Sequence, residues 1–419
     1  MTQPKSLVRN PHFRWLWLGH TVSVFGDQFT MLAIPVLAVT ALGATSQQMG
    51  YLAAAGSASF LLVGLVAGAW VDRLVKRKVM LVADAIRFLA LLAVPLLWAT
   101  HQLQIWHLFV VAGVVGLAAV FFDVASQSFI PVLLPKEQIG SGNSALETSG
   151  SVAGVAGPSV VGFLLAFLQA PLLVLFDSVS FAFSALSLSF IRDGEVKAPV
   201  EKRRPLRVEI AEGLRFVKSQ RIIRTIALTT GTGNFFSNLA FAIVPLYVFK
   251  ILNFTPAQFG LMMSAAAVGA LVGASSAGKA MEKIGEGRLV VWAAVAYGFT
   301  TLCVPASSLL PHAAQLPFLM VTEFCNSVLV LLYNITQVSA RQRICPPELL
   351  GRMNASIRFF IWGVMPIGAL LSGWVAAGIG VLPTIWIGCA GVLGSSIFVL
   401  RSPLRNMLKL PDSAETVAS

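Results

Sequence analysis

The residues that invite a chemical reading are ionisable or amide side chains set inside long apolar runs. Asp27 and His20 lie seven residues apart in one such run, on one face of a helix. Asp123 and Gln127 share a second run, Asn234 and Asn238 a third. In a fourth, Glu323, Asn326, Asn334 and Gln337 fall close to one helical stripe. Asp84-x-x-Arg87 sets opposite charges one helical turn apart, and Glu147 and Arg358 are a further pair of opposite sign. The chemistry on offer is proton loading and release by carboxylates, ion pairing, and hydrogen bonding to a polar solute. Metal and nucleophilic chemistry lack their residues. Cys303, Cys325, Cys345 and Cys389 are scattered without close pairing, and the five histidines show no His-x-x-x-His spacing. No phosphate-binding loop, nucleophile elbow or dinucleotide fingerprint occurs, so no metal, no cofactor and no enzyme activity are expected.

The elements that hold these residues are membrane spans. Of 419 residues, 56% are hydrophobic and only 11% charged. A soluble domain carries roughly 25% charged residues, so a soluble enzyme is excluded. Twelve apolar runs reach the ~20 residues a spanning helix needs. They are 14–39, 47–71, 78–99, 105–131, 141–168, 171–191, 222–249, 257–281, 288–309, 314–340, 352–378 and 381–401. The expected fold is an all-α membrane protein of twelve transmembrane helices. The amino terminus is polar and basic, without the short apolar core of a cleavable signal, so the first span is expected to stay as an anchor.

The net charge of +12 sits almost wholly on one side of these spans, with Lys250 on the other. By the positive-inside rule that side, and both termini, are expected in the cytoplasm of a cell (inner or plasma) membrane protein. The basic excess is then a topology label, and nucleic-acid binding is not expected.

A shift of about 210 residues aligns the chain with itself. Phe25 and Pro35 match Phe235 and Pro245; Gln48 and Gly50 match Gln258 and Gly260; Asp123 matches Asn334, and Glu147 matches Arg358. Two parallel six-helix repeats follow, expected as a bundle at 1–191, a linker at 192–221, a second bundle at 222–401 and a tail at 402–419. Parallel halves of this kind hold their solute between them and open to each side in turn. In the linker, Ile210, Leu214 and Val217 fall at helical spacing, which suits an amphipathic helix on the inner leaflet or a solvated connector.

Three motifs carry a family resemblance. Gly68-Ala-Trp-Val-Asp72-Arg73-Leu-Val-Lys-Arg-Lys, repeated as Gly278-Lys-Ala-Met-Glu282-Lys283-Ile-Gly285, resembles the loop after span 2 of major facilitator superfamily transporters, with Val75 where a second Gly is usual. Gly150-x-x-x-Gly154-x-x-Gly157-Pro158 resembles the superfamily's antiporter motif, one residue short. The opening Phe13-Arg14-x-Leu16-Trp17-x-Gly19 and Asp84-x-x-Arg87 are similar to the drug:proton antiporter branch that holds macrolide-efflux and enterobactin-exporter proteins.

The resemblance implies roles. Gly68, Asp72, Arg73, Glu282 and Lys283 would form a cytoplasmic gate; Gly154, Gly157 and Pro158 would mark an antiporter. Spans 1, 4, 7 and 10 would line a cavity. Asp27 would carry the coupling proton or serve as a structural hydrogen-bond partner. Asp123 has the same two readings; Glu323 would bind a cationic substrate, relay protons or serve structurally, and His20 reads as an interhelical donor or a relay. Gln127, Asn234, Asn238, Asn334 and Gln337 would complete the cavity, and Asp84, Arg87, Glu147 and Arg358 would form salt bridges. Asp177, in span 6, has no evident partner. The expected function is a monomeric secondary exporter of amphiphilic drug-like small molecules, driven by the proton gradient and in contact with membrane lipids. Siderophore or other metabolite export, lysophospholipid flipping and a non-transporting receptor or scaffold stand as alternatives.

Overall fold

In the computed structural model, the residues described are 10–71, 73–191, 206–346 and 350–408. Every regular element among them is helical. The first six are α1 (Pro11–Val36), α2 (Ser46–Val71), α3 (Lys76–Ala99), α4 (Ile105–Leu133), α5 (Lys136–Leu164) and α6 (Ala170–Ser189). Then come α7 (Leu206–Ser219), α8 (Arg221–Phe241), the single turn α9 (Val244–Leu246), α10 (Pro256–Ile284), α11 (Glu286–Ala306) and α12 (His312–Ile344). The last two crossings are each interrupted, as α13 (Leu350–Gly363) with α14 (Met365–Ile379), and α15 (Val381–Ser395) with α16 (Ile397–Leu400). Ten segments of the described residues are long and apolar enough to cross a bilayer. With 26 and 29 residues, α2 and α5 also reach spanning length, which agrees with twelve crossings.

The chain divides into two compact units, Met1–Ala44 with Ala55–Glu201, and Thr45–Ala54 with Lys202–Ser419. In the first, α1 packs on α5 and α6, and α3 on α4 and α6. In the second, α8 packs on α14 and α15, and α11 on α12 and α15. These are the same pairings at repeated positions, so the internal repeat of the sequence is a repeat of packing. Phe13, Met80, Phe122, Phe129 and Leu188 anchor the core of the first unit; Ile222, Val290, Met353, Ile357 and Val399 anchor that of the second.

The repeat extends to the turns. Two residues after Pro35 and Pro245 the helix loosens into a π turn, at Leu37–Ala41 and Tyr247–Ile251. A proline removes one amide donor from the ladder, and a wider turn accommodates the gap. Gly43 (φ 67°) and Asn253 (φ 55°) then reverse the chain in the left-handed region. Thr45 with Gln48, and Thr255 with Gln258, start the next helix with reciprocal side-chain and backbone bonds. Gln48 and Gln258 are thus capping residues.

The connector forms a helix where the sequence spacing places one. Its helix α7 turns Phe216 and Val217 onto the core of the second unit and packs beside α13, leaving Leu214 exposed. The Ile210 side chain and residues 192–205 lie outside the described set. The start of the expected tail is also docked. Leu404 is fully buried, and the Glu286 and Arg288 amides donate to the Leu408 and Met407 carbonyls at 2.9 and 3.3 Å.

That docking explains the motif's one departure. Val75 sits in extended backbone (φ −71°, ψ 111°), which any residue adopts. Its counterpart Gly285 has φ 89°, and a Cβ there would meet the Leu408 backbone at 2.9 Å. Gly285→Ala is expected to cost about 1–3 kcal/mol, read as a lower thermal unfolding midpoint of the detergent-purified protein, while Val75→Gly changes it by less.

Candidate functional site

In the first unit, two glycines let α1 approach α6. Gly19 faces Ser184 and Ser187, and Gly26 faces Ser180 and Asp177, so closely that a Cβ at Gly26 would collide. Across this seam, α3 contributes Asp84 and Arg87, which are 0% and 4% exposed and paired at 3.8 Å. The Arg87 guanidinium lies 4.9 Å from the ring centres of both Phe122 on α4 and Phe181 on α6. Guanidinium faces are weakly hydrated and stack well on aromatic rings, which suits a cation removed from water.

Arg87 acts electrostatically on Asp27, Asp84, Asp177 and His20, and Asp27 in turn feels Asp123 and Asp177. One guanidinium therefore serves three carboxylates, from α1, α3 and α6, and Asp123 on α4 joins the group through Asp27. They differ in access. Asp84 and Asp177 are buried, whereas Asp27 and Asp123 are exposed, as is Gln127. Asp177, without a partner in the sequence reading, accepts a 3.2 Å bond from Ser180 and lies beside Thr30. His20 is half-buried and lies near the Leu146 backbone on α5. Gly157 of the antiporter-like motif packs against Gln28, next to Asp27, while Gly150 and Gly154 face open space. The motif thus reaches the cluster through a single glycine, ahead of Pro158.

The described residues of the expected gate lie at or near helix ends. Gly68 is in α2, Arg73 is exposed, and Glu282 and Lys283 are exposed at the end of α10; Asp72 is outside the described residues. Arg77 of the same loop donates to the Leu188 and Ser189 carbonyls at 2.9 and 2.7 Å. A cation there complements the carboxyl end of α6. Glu147 and Arg358 belong to different units, and Arg358 lies 5.6 Å from the Trp362 ring centre.

The second unit encloses a cleft of about 130 Å³ between α8, α11, α12 and α15. Its lining includes Thr229, Asn234, Ser237, Tyr297, Tyr333 and Asn334, and no lining residue is charged. Asn334 is exposed and Thr229 buried, so the cleft runs from an open edge into the bundle. Thr230 and Tyr333 share a 2.8 Å hydrogen bond, and Asn234 donates to the Ile361 carbonyl at 3.1 Å. Asn238 donates to the Asn234 carbonyl, and Gln337 is buried nearby on α12. Glu323 is half-buried, one turn from Asn326 and within electrostatic reach of Tyr297 and Cys389. Sequence reasoning missed Gln28 and Tyr297. A signal existed for Tyr297: the chain holds 28 Phe and only 4 Tyr, so a tyrosine inside a span is a choice for its hydroxyl.

Removing Arg87 strands Asp84 in the bundle. Arg87→Ala is expected to cost about 3–5 kcal/mol, seen as loss of monodisperse protein on size-exclusion chromatography after mild heating. Adding Asp84→Asn to that variant is expected to recover part of the loss.

Comparison with known proteins follows the fold. Two solved structures superpose over nearly the whole chain. They are a bacterial homologue of the iron transporter ferroportin in an inward-facing state (TM-score 0.76, 17% identity, 95% of this chain and 99% of that one) and the nucleoside transporter NupG (0.75, 11%, 93% and 98%). Among sequences, the multidrug efflux pump Tap of Mycobacterium tuberculosis is 27% identical, covering 97% of each chain. Macrolide efflux protein A of Streptococcus pyogenes is 22% identical, covering 95% of this chain and 97% of its own. The transmembrane secretion effector family matches residues 2–417. The chain is therefore a multi-pass membrane transporter of the major facilitator superfamily and belongs to its transmembrane secretion effector family.

Proposed function

We propose that the protein is a secondary active exporter of amphiphilic, drug-like small molecules that exchanges its substrate for protons by alternating access, with both termini in the cytoplasm. The observation that carries this reading is the Arg87 cluster. Asp27, Asp84 and Asp177 share one buried guanidinium, Asp123 acts on Asp27, and Asp27 and Asp123 are exposed. A proton and a cationic amphiphile then compete for the same excess of negative charge, and competition for one site is a sufficient basis for exchange. Asp27 is the coupling carboxylate in this scheme. It lies on α1 beside Gly26, so a change in its charge acts directly on the seam with α6 and on Arg87. The export of drugs and macrolides named for two relatives supports the substrate class.

The test is reconstitution in proteoliposomes with an imposed pH gradient and a panel of amphiphilic drugs, siderophores and lysolipids. Drug movement that follows the gradient and disappears on its collapse is expected, with Asp27→Asn losing gradient-driven transport by at least tenfold. Drug movement indifferent to the gradient, or unchanged in Asp27→Asn, overturns the coupling scheme. Movement of lysolipids or siderophores alone overturns the substrate class.

A further inference from the structure

The cleft of the second unit and the charge cluster of the first occupy the same place in the repeat. The offset that pairs Pro35 with Pro245 also pairs His20 with Thr230, Asp27 with Ser237, Asp84 with Ala294 and Arg87 with Tyr297. The offset that pairs Asp123 with Asn334 also pairs Phe122 with Tyr333 and Ser184 with Ser395. Burial confirms this register: Met80, Ala83, Asp84 and Val94 are buried in α3, and so are Val290, Ala293, Ala294 and Val304 in α11. Thr230, Ser237, Ala294, Tyr297, Tyr333, Asn334 and Ser395 all line the cleft. Each titratable group of the cluster is thus replaced by a neutral one, and where the guanidinium fills the first unit, the second unit is open.

Two observations mark the open twin as a receptor. Its volume, about 130 Å³, is close to the engineered apolar cavity of about 150 Å³ that takes up a benzene ring, so it fits one six-membered ring and not a whole drug. Its wall is polar, unlike that cavity. Thr229, 4% exposed, is part of it, and its buried hydroxyl has no hydrogen-bond partner among the described residues. A buried polar group left unpaired is costly, and a ligand that pairs it recovers that cost. Tyr297 and Tyr333 add aromatic faces against which a flat or pyranose ring can stack.

We infer that this cleft is a substrate subsite for an uncharged, hydrogen-bonding ring, such as a glycosyl or benzamide substituent of the exported amphiphile. The inference rests on the exporter reading and names what the second unit selects. A site built to hydrogen-bond a group discriminates against the isostere lacking it, whereas charge attraction does not distinguish the two.

The experiment is equilibrium binding to the full-length protein in lipid nanodiscs. The probes are two aryl-alkylammonium compounds, one ending in a benzamide ring and one in the isosteric isopropylbenzene. The wild type is expected to prefer the benzamide by about tenfold, the effect of one to two net hydrogen bonds. Thr229→Val, which keeps the volume and removes the hydroxyl, is expected to cut the preference to about threefold or less. Ala294→Leu, which fills the cleft, is expected to weaken the benzamide probe alone. Equal binding of both probes to the wild type, or a preference unchanged in Thr229→Val, overturns the subsite and leaves the exporter reading standing. Binding of neither probe, together with no drug movement in the proteoliposomes, overturns the exporter reading and the subsite with it.

Discussion

The structure of the first unit depends on keeping one guanidinium inside a bilayer-spanning bundle. A charged side chain at that depth costs several kcal/mol unless its surroundings replace water. For Arg87 the replacement comes from three helices at once: a carboxylate one turn away on α3, and aromatic faces from α4 and α6. These groups meet only because α6 is drawn against α1 by the glycine–serine seam. Larger side chains at Gly19 or Gly26 would push α6 outward, and Asp177 and Phe181 would move with it. The seam and the cation therefore stabilise each other, which is why the sequence spends glycine in a helix that is otherwise bulky and apolar.

The second unit solves the same packing problem without charge. Its α8, α11, α12 and α15 pair as α1, α3, α4 and α6 do, but tyrosine, threonine, serine and asparagine stand where the first unit has arginine, histidine and aspartate. Gly388, the counterpart of Asp177, packs against Ala240 and Phe236, so the helix contact persists while the carboxylate is gone. A neutral hydroxyl or amide can be kept in a span at far lower cost than an ion, and it needs no enclosing counter-charges. Freed of that requirement, the second unit can leave space open.

Much of this was legible in the sequence. The twelve apolar runs, the internal repeat and the paired turns follow from hydropathy and from Pro, Gly, Thr and Gln at fixed spacing. Asp84 with Arg87 was legible as well, since a helix brings residues three apart together. The surroundings of Asp177 were legible only in part: Ser180, three residues on, is a local partner, whereas Thr30 and Arg87 come from α1 and α3, distant in sequence, and no local spacing points to them. The exposure of Asp27 and Asp123 was hidden for a similar reason: hydropathy reports that a residue lies in a span, not which face of the helix it takes. The docking of residues 402–408 onto the start of α11 was unreadable because backbone amides and carbonyls make it, and these are common to every residue type. Only Gly285 betrayed it, and its need for a positive φ emerges once the turn is seen.

A duplicated bundle with one charged and one neutral copy of the same site separates two demands that conflict in a single site. Charge acts at a distance and recognises sign; it attracts any cation and says little about shape. A neutral polar cleft acts only at hydrogen-bond distance and recognises shape and donor pattern. If both were built into one bundle, the enclosing counter-charges that Arg87 requires would fill the very space a substrate ring needs, as they do between α1, α3, α4 and α6. Placing the charge in one repeat and the cavity in the other removes that competition. The identical helix pairings of the two units then matter less as a trace of common origin than as the reason the division works: each repeat already supplies the same four-helix pocket, and the choice of arginine or tyrosine on its third helix decides whether the pocket is a charge or a space.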